Sequence, residues 1–366
     1  MIGYYAHHQG SGHVTRMQAV AAALDEPVWG LSSAPRPAGW SSGWTELARD
    51  DEAAGERLDE DADVTARGAL HWVPRGHAGL ARRAEQVVSW AAVHRPRLLV
   101  VDVSVEVALL ARLAGVPTVV VALPGRRDDR AHRLAYDTAE ALLAPWPEGT
   151  HERSWPPEWV AKARFVGGIS RFDSRVRAGA GATTPVGADP TQRQDASTSV
   201  LDLHDTTRGS TSSGRTVLLL WGAGGRGTTP AQVSAARAAT PGWTWLERSP
   251  GADASTDLWD ELLRADVVVT HAGQNAVAEV AAARRPAVVV AQPRPYDEQV
   301  ATAECVQELG LAVGRSSWPR PREWPELLEQ AVAIGGEGWG RWSTGDGAAR
   351  AAGFLSGVGL AARVPA

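Results

Sequence analysis

The sequence predicts an α/β protein made of two similar halves, each with a parallel β-sheet covered by helices. Short runs of β-branched residues alternate with Ala-, Leu- and Arg-rich stretches of helical spacing, which is typical of βαβ units. The strands are almost entirely apolar, as expected for a sheet with helices on both faces. A segment of different composition separates the two halves.

Length and charge limit the class of protein. The 366 residues suffice for two domains of ordinary size. With 37 basic and 42 acidic residues the formal net charge is −5, so we expect no nucleic-acid partner. The single cysteine, Cys305, excludes an internal disulfide and a thiolate zinc site. It fits a reducing compartment, and we expect a cytoplasmic protein.

Hydrophobicity predicts neither a targeting segment nor a membrane span. Met1 to Ala6 is strand-like and lacks a basic stretch followed by an apolar one, so we expect the folded protein to begin here. The most apolar region, Leu98 to Leu123, is interrupted by Asp102, Glu106 and Arg112, and a span needs about 20 uninterrupted apolar residues. A soluble protein is expected.

The first half opens with a strand and a helix in quick succession, because Val14, Met17, Val20 and Leu24 recur at helical spacing. The region Ala48 to Ala66 is acidic and weakly patterned, so its structure stays open. The predicted elements are the strand Ile2 to His7, the helix Thr15 to Leu24, the strand Arg97 to Asp102, the helix Val105 to Ala114 and the strand Val116 to Leu123.

Residues 175–215 are rich in Gly, Ala, Ser, Thr, Asp and Arg and predict a flexible linker. It divides an N-terminal domain, residues 1–174, from a C-terminal domain, residues 216–340, and a helical tail, residues 341–366, follows. The second half is predicted to contain the strands Thr216 to Trp221, Trp243 to Glu247, Asp266 to Thr270 and Pro286 to Ala291, and helices at Leu258 to Leu263, at Asn275 to Ala283 and through Val306.

The N-terminal strand is followed by a turn, His8-Gln9-Gly10-Ser11-Gly12-His13, in which Gly10, Ser11 and Gly12 let the chain turn toward a ligand. His13 lies at the mouth of the expected cleft; alternatively it is a solvated residue at a helix entry. Asp102 ends an apolar strand and faces the same side of the sheet, where it can orient a histidine. Alternatively Asp102 caps the helix near Val105.

His271-Ala272-Gly273-Gln274-Asn275 follows a strand and opens a helix that carries Glu279. The amides of Gly273, Gln274 and Asn275 at such a helix start suit a diphosphate, and Glu279 can accept two hydrogen bonds from a ribose. A second glycine-rich turn supplies further amides from Gly222, Gly224 and Gly225.

Asp297-Glu298-Gln299 follows the strand ending at Ala291 and precedes a helix. A carboxylate and a carboxamide together can bind the vicinal hydroxyls of a sugar. Three polar residues at a helix start are also typical of an N-terminal cap, so both interpretations stay open.

Residues 271–279, His-Ala-Gly-Gln-Asn-Ala-Val-Ala-Glu, followed by Pro286 and then Asp297-Glu298-Gln299, resemble the donor-binding signature of GT-B glycosyltransferases. The most similar groups are the family 28 N-acetylglucosaminyltransferase of peptidoglycan-lipid synthesis and the UDP-glycosyltransferases. The resemblance extends over about Thr216 to Val313. It implies the GT-B fold, two Rossmann-like domains that face each other across a cleft.

The resemblance also implies roles. His271, Gly273 and Asn275 would contact the donor diphosphate, Glu279 the ribose, and Glu298 and Gln299 the transferred sugar. His13 would be the base that takes the acceptor proton, and Asp102 would pair with it. The sequence departs from the plant signature at Ala276, Thr302 and Asp253, the last lying where a tryptophan stacks on uracil. Trp259, or main-chain groups near it, would take that role instead.

We therefore expect an inverting, metal-independent glycosyltransferase that uses no cofactor, because a helix N-terminus can stabilise the leaving diphosphate. UDP is favoured over dTDP, since Glu279 gains a bond from a ribose 2′-hydroxyl. The acceptor, a small molecule or a lipid-linked one reached by peripheral membrane contact, binds the N-terminal domain. Alternatives are an isomerase resembling UDP-sugar 2-epimerases and a catalytically silent nucleotide-sugar-binding protein; the oligomeric state is open.

Overall fold

The computed structural model describes residues 1–51, 62–180, 214–222, 227–249, 255 and 257–358. They form two α/β units, each built on one parallel sheet. The two-part α/β architecture predicted from the alternating pattern is confirmed.

The N-terminal sheet has seven strands in the order β3-β2-β1-β4-β5-β6-β7. All its pairings are parallel. Its strands are β1 (Ile2–Ala6), β2 (Val28–Ser32), β3 (Trp44–Glu46), β4 (Leu98–Asp102), β5 (Thr118–Val121), β6 (Ala141–Ala144) and β7 (Ala163–Phe165). Its helices are α1 (Gly12–Ala21), α2 (Ala78–His94), α3 (Val105–Leu113), α4 (Arg130–Thr138), α5 (Pro157–Ala161) and α6 (Asp173–Ala180).

The C-terminal sheet has five parallel strands in the order β12-β11-β10-β8-β9. Its strands are β8 (Arg215–Leu220), β9 (Trp243–Arg248), β10 (Val267–His271), β11 (Ala287–Val290) and β12 (Val313–Arg315). Its helices are α7 (Pro230–Ala239), α8 (Leu258–Arg264), α9 (Gln274–Ala283), α10 (Glu298–Glu308) and α11 (Trp324–Ile334), and short 3₁₀ turns cover Pro295–Asp297, Pro321–Glu323 and Glu337–Arg341.

The central strands fix where a ligand can bind. Every residue of β1 and β4 is buried, and their register pairs Ala6 with Asp102. In the other sheet the register pairs Thr270 of β10 with Leu220 of β8. The strand order reverses between β1 and β4 and again between β8 and β10. The carboxyl edges at such reversals are where open parallel sheets bind ligands.

The chain's last described helix, α12 (Gly347–Gly357), packs on the N-terminal unit. Ala351 and Leu355 are buried in one core with Ile2 and Met17, and the Ala348 amide donates to Asp173 Oδ2 over 3.1 Å. The C-terminal end of the described chain therefore covers the first sheet rather than the second.

Element ends differ from the prediction by a few residues. The first helix begins at Gly12, not Thr15, and ends at Ala21. Hydrophobic spacing marks the buried face of a helix, whereas Gly12, His13 and Thr15 of this first turn line the cleft and give no such signal. The predicted linker start at residue 175 falls inside α6, and the strand predicted from Thr216 begins at Arg215. The remainder of the predicted linker, residues 181–213, lies outside the described residues.

Within the described ranges, no helix has the length and apolar character needed to cross a bilayer.

Candidate functional site

A cleft of about 710 Å³ lies between the carboxyl edges of the two sheets. The turn before α1 forms one wall, and the start of α9 forms the other. Its lining includes most of the predicted site residues: Gly10, Ser11, Gly12, His13, Gly222, His271, Gly273, Gln274, Asn275, Glu279, Glu298 and Gln299. Gly224 and Gly225 lie outside the described residues.

His13 and Asp102 form a hydrogen-bonded pair on the N-terminal wall. His13 Nδ1 lies 2.9 Å from Asp102 Oδ1, and Asp102 is fully buried at the end of β4. A terminal nitrogen of Arg16 also lies 3.3 Å from Nδ1. Because a carboxylate only accepts and the Asp102 contact is the shorter one, Nδ1 carries the proton, and in the neutral ring Nε2 keeps its lone pair. An imidazole in this tautomer, placed in a cleft, can take a proton from a substrate hydroxyl.

Asp102 is held ionised by its neighbours. Arg16 donates through Nε to Oδ2 over 2.8 Å and through a terminal nitrogen to Oδ1 over 2.9 Å, and the Tyr4 hydroxyl lies 3.3 Å from Oδ2. Burial by itself raises the pKa of Asp102, but the positive charge of Arg16 and the hydrogen bonds from Arg16 and His13 hold that pKa below its usual range.

The alternative role for Asp102, capping α3, is wrong. The N-cap of α3 is Ser104, whose side chain accepts from the amide of Val107. Asp102 stays at the strand end, bonded to α1, because parallel pairing with β1 brings the two strand ends together.

The start of α9 forms the opposite wall. Its N-cap is Gly273, and no described side chain caps the helix. The first amides of an α-helix lack intrahelical partners and carry partial positive charge, so this helix end can bind an anion. Asn275 Nδ2 donates to the Gly12 carbonyl over 2.9 Å, which fixes this wall against the start of α1.

His271 ends β10 and is neutral. The Gly273 amide donates to Nδ1 over 3.0 Å, so the ring proton lies on Nε2, and Nε2 faces the Cα of Gly222. Burial, together with the charge of Arg294, lowers the pKa of His271 to about 4. A neutral His271 thus offers one N–H donor at the side of the cleft where α9 begins.

Glu279 is engaged by an arginine in this structure. Arg171 Nε lies 2.9 Å from Glu279 Oε1, and the Arg171 side chain is 48% exposed. Burial raises the pKa of Glu279, and Arg171 opposes that rise. The carboxylate predicted to bind a ribose therefore lies in the cleft with an exchangeable partner.

Glu298 and Gln299 at the start of α10 also have partners. Arg127 of the N-terminal unit donates to Glu298 Oε2 over 3.1 Å and stacks on Tyr296, 4.6 Å from the ring centre. Gln299 Oε1 accepts from the Gln292 amide over 3.0 Å, so only the amino group of Gln299 is turned toward His271, at 3.5 Å.

Three aromatic rings line the cleft as well. Phe172 and Trp259 lie 5.0 Å apart between ring centres, and Trp221 lies nearby at the end of β8. Trp259, which the sequence offers for stacking on the base, lines the cleft. Position 253, where the plant tryptophan would stand, lies outside the described residues.

Sequence reasoning missed the arginines that surround the cleft: Arg16, Arg171, Arg175, Arg248 and Arg294. One signal was available for Arg16, because residues three apart share a helix face and Arg16 is three residues after His13. The others had no such signal, since Arg171 and Arg175 come from the segment between the two sheets.

A separate cluster joins His71, Asp129 and His132, whose potential ligand atoms lie within 4.8 Å of one another. Asp129 accepts from His132 Nδ1 and lies 3.0 Å from His71 Nε2. Arg127, which can only donate, lies 3.3 Å from His132 Nε2, so His132 carries its proton on Nδ1. The Nδ1 proton of His132 is therefore used in the bond to Asp129. The cluster forms one hydrogen-bonded chain that continues through Arg127 to Glu298.

Comparisons with known proteins agree with this architecture. Residues 255–317 match the family model described as the glycosyltransferase family 28 C-terminal domain. No curated protein matches the sequence. The calicheamicin glycosyltransferase CalG4 has a similar structure, with a TM-score of 0.59, 17% identity, and coverage of 100% of this chain and 99% of that one.

Two similar structures contain nucleotides. UGT2 of Phytolacca americana, complexed with UDP-2-fluoro-glucose and pterostilbene, has a TM-score of 0.58 and 14% identity over 98% of both chains. The spinosyn rhamnosyltransferase SpnG, complexed with thymidine diphosphate, has a TM-score of 0.55 and 16% identity, and the match covers 97% of this chain and 96% of that one. At such identities these structures establish the fold, and the predicted GT-B fold is confirmed. The family match and the fold together support a glycosyltransferase that resembles family 28.

Proposed function

We propose that this chain, a GT-B protein whose C-terminal domain resembles that of family 28 glycosyltransferases, transfers a sugar with inversion from a UDP-sugar to an acceptor hydroxyl. One observation supports the proposal: a hydrogen-bonded histidine–aspartate pair and a helix start without a side-chain cap face the same cleft. His13, oriented by Asp102, lies on one wall, and the start of α9 lies on the other.

The reaction follows from these positions. The acceptor hydroxyl loses its proton to His13 Nε2 while its oxygen attacks the anomeric carbon of the donor. The bond from that carbon to the diphosphate breaks on the opposite face, and its electron pair leaves with the diphosphate. Because Asp102 stays ionised beside His13, the imidazolium formed in this step is stabilised.

The leaving group would bind where positive charge is concentrated. The amides at the start of α9 and the Nε2–H of His271 are donors fixed before the reaction. Arg294 lines the same part of the cleft. These groups stabilise the diphosphate without requiring a metal ion, which is the basis for proposing metal-independent transfer.

UDP is the donor nucleotide that we propose, because Glu279 can accept hydrogen bonds from both ribose hydroxyls. A deoxyribose offers one hydroxyl fewer, and an unsatisfied buried carboxylate is costly. Similar structures contain a UDP-sugar in one case and thymidine diphosphate in another, so the fold accommodates both and residues of this chain decide. The acceptor, small or lipid-linked, would bind beside His13, and the buried free thiol of Cys305 suits a cytoplasmic location.

Calorimetric titration with UDP-, GDP- and dTDP-sugars tests the donor site. We expect UDP-sugars to bind the wild type best and Glu279→Ala to lose about tenfold in affinity for them, with a smaller loss for dTDP-sugars. Glu329→Ala is the matched control, because Glu329 lies outside the cleft on α11 and pairs with Arg215, which does not line the cleft either. Absence of nucleotide binding, or equal binding by wild type and Glu279→Ala, contradicts the donor assignment.

Product analysis distinguishes transfer from isomerisation. Release of UDP that depends on an added acceptor, with a product of inverted anomeric configuration, supports the proposal. Conversion of the UDP-sugar to its epimer without any acceptor would instead assign the chain to the epimerase-like alternative.

A further inference from the structure

Arg16 connects the base to the donor-binding wall. Its guanidinium is buried and binds both oxygens of Asp102. Its remaining terminal nitrogen donates to Gln274 Oε1 over 2.7 Å. Gln274 is the first residue of α9, so one side chain spans the two units of the fold at the point where they meet in the cleft.

We propose that Arg16 is a positioning residue that couples the His13–Asp102 pair to the donor-binding helix, so that the base is aligned only while the two walls are joined. This inference rests on the proposed function, since it assigns His13 the role of base. Arg16 would act through Asp102 and Gln274 rather than by touching the reacting atoms.

The geometry of the fork supports this role. A guanidinium holds a carboxylate in one plane through two parallel bonds, and Asp102 has one remaining strong bond, to His13 Nδ1. Without the fork Asp102 could rotate, because its only other described contact is the 3.3 Å bond from the Tyr4 hydroxyl. The direction of the His13 ring therefore depends on Arg16.

A second contact crosses between the walls beside Arg16. Asn275, the next residue of α9, donates to the Gly12 carbonyl, and Gly12 precedes His13. The first turns of α1 and α9 are thus bonded twice, once through Arg16 and once through Asn275. Movement of α9 when a donor binds would pull on both bonds and be transmitted to the base.

Arg16 also affects the charge around His13, apart from its effect on the orientation of the ring. Facing His13 are Asp102 from β4, Arg16 from its own helix, and His7, whose ring centre lies 6.1 Å away after β1. Burial, with the charge of His13 and other neighbours, lowers the pKa of His7 to about 3, so His7 is neutral. The charge of Glu298 on the opposite wall also interacts electrostatically with Arg16. The positive charge of Arg16 therefore offsets the negative charge of Asp102 next to the base.

Kinetics of Arg16→Gln, Arg16→Lys and the exposed control Arg82→Gln test the inference, with UDP affinity measured for each. Arg16→Gln should lower kcat about 10²-fold through misalignment while changing the UDP Kd less than threefold. It should also move the acid limb of the kcat profile to higher pH, because Asp102 is then uncompensated and favours protonated His13.

Arg16→Lys separates geometry from charge. It keeps the charge but not the fork, so we expect an intermediate kcat with the wild-type acid limb. Gln274→Ala should lower kcat about tenfold, and the double variant Arg16→Gln, Gln274→Ala should be no slower than Arg16→Gln alone, because one bond joins the two residues. A merely structural role would lower the amount of active enzyme without moving the pH profile.

The kinetics would overturn the inference by any of three results: a wild-type kcat in Arg16→Gln, an unchanged acid limb in that variant, or additive losses in the double variant. Crystal structures of the wild type and Arg16→Gln add a readout independent of turnover, the distance from His13 Nδ1 to Asp102 Oδ1. Retention of the 2.9 Å contact in Arg16→Gln counts against the inference even if no nucleotide binds. A wild type that binds no nucleotide counts separately against the proposed function.

Discussion

The two walls of the cleft hold their acidic side chains in different ways. On the N-terminal wall, Asp102 is fully buried and its partner Arg16 is 3% exposed. On the C-terminal wall, Glu279 is bound by Arg171, a residue outside the second sheet whose side chain is 48% exposed. The first pair is locked in the interior, whereas the second can exchange its partner with a ligand.

This difference matches the chemistry proposed for each wall. Breaking a buried ion pair by removing one partner costs about 3–5 kcal/mol, so the base and its orienting carboxylate stay fixed during a reaction. Arg171 is half exposed and can turn toward water, whereas Glu279 is mostly buried. Glu279 can therefore release Arg171 when the ribose hydroxyls replace the hydrogen bonds that Arg171 supplied. The N-terminal wall, with its fixed Asp102–Arg16 pair, is therefore suited to catalysis, and the C-terminal wall, where Glu279 can exchange Arg171 for a ligand, is suited to binding.

The largest expected effect is on turnover, and it tests whether the walls are divided in this way. His13→Ala removes the base, so kcat should fall about 10²–10⁴-fold while the Kd for UDP changes less than twofold. Steady-state transfer assays and calorimetry measure the two quantities. Gln18→Ala, on the same helix but away from the cleft lining, is the control.

A loss of UDP affinity in His13→Ala comparable to its loss of turnover would show that the N-terminal wall also binds the donor. Unchanged turnover with intact binding would exclude His13 as the base.

The pH dependence of stability compares a histidine from each wall. His7 follows β1 and has a pKa lowered to about 3, and His271 ends β10 with a pKa lowered to about 4. Unfolded histidines titrate near 6.5, so the unfolded chain takes up protons first as the pH falls. Stability is therefore fully present above about pH 6.5 and is lost as the pH falls toward 4.

For His271 alone the expected loss is about 3 kcal/mol, since each pH unit between the two pKa values corresponds to about 1.4 kcal/mol. Urea midpoints of wild type and His271→Gln at pH 8 and pH 4.5 measure it. The variant should lose less stability on acidification than the wild type. An equal loss in both proteins would mean that His271 titrates alike in the folded and unfolded chain.

Much of this fold was predictable because its signals are local. The apolar strands Leu98–Asp102 and Val267–His271 and the helix Gln274–Ala283 lie within a few residues of their predicted positions. Parallel strands buried on both faces must be apolar, and polar side chains appear where such strands end. The predicted His13 and Asp102 lie at the carboxyl edge of the first sheet, and His271 lies at the carboxyl edge of the second.

What could not be predicted depends on contacts between distant segments. Arg127 reaches Glu298 across 171 positions, and Arg16 reaches Gln274 across 258. No periodicity links such residues, because the pairs form only when two separately folded units meet. Likewise, the local sequence allowed Asp102 either to orient a histidine or to cap the helix near Val105, and the pairing of β1 with β4 is what places Asp102 beside His13.

A glycine substitution sharpens the comparison on the binding wall. An ideal Cβ on Gly222 would lie 2.4 Å from His271 Nε2, so Gly222→Ala must displace the imidazole. We expect UDP affinity to fall about tenfold, because one fixed donor is lost, and stability to fall by about 1–3 kcal/mol. Gly242→Ala is the matched control, since a Cβ there meets nothing within 4 Å.

Calorimetry and thermal unfolding of both glycine variants measure these changes. Wild-type affinity in Gly222→Ala, with the protein folded, would show that His271 does not contribute to donor binding. An equal loss in Gly242→Ala would assign the effect to general destabilisation.

The smallest effect tests the exchangeable pair itself. Arg171→Ala frees Glu279 from a partner that a ribose must displace, so UDP should bind about two- to fivefold more tightly, which corresponds to about 0.4–1 kcal/mol. Arg175→Ala is the control, because Arg175 lines the same cleft and stacks near Phe172 without contacting Glu279. Weaker binding by Arg171→Ala alone would show that Arg171 moves from the carboxylate to the donor's phosphates. In that case the C-terminal wall gains a cation on binding, and the contrast with the locked Arg16 pair lies in a transfer of charge to the ligand.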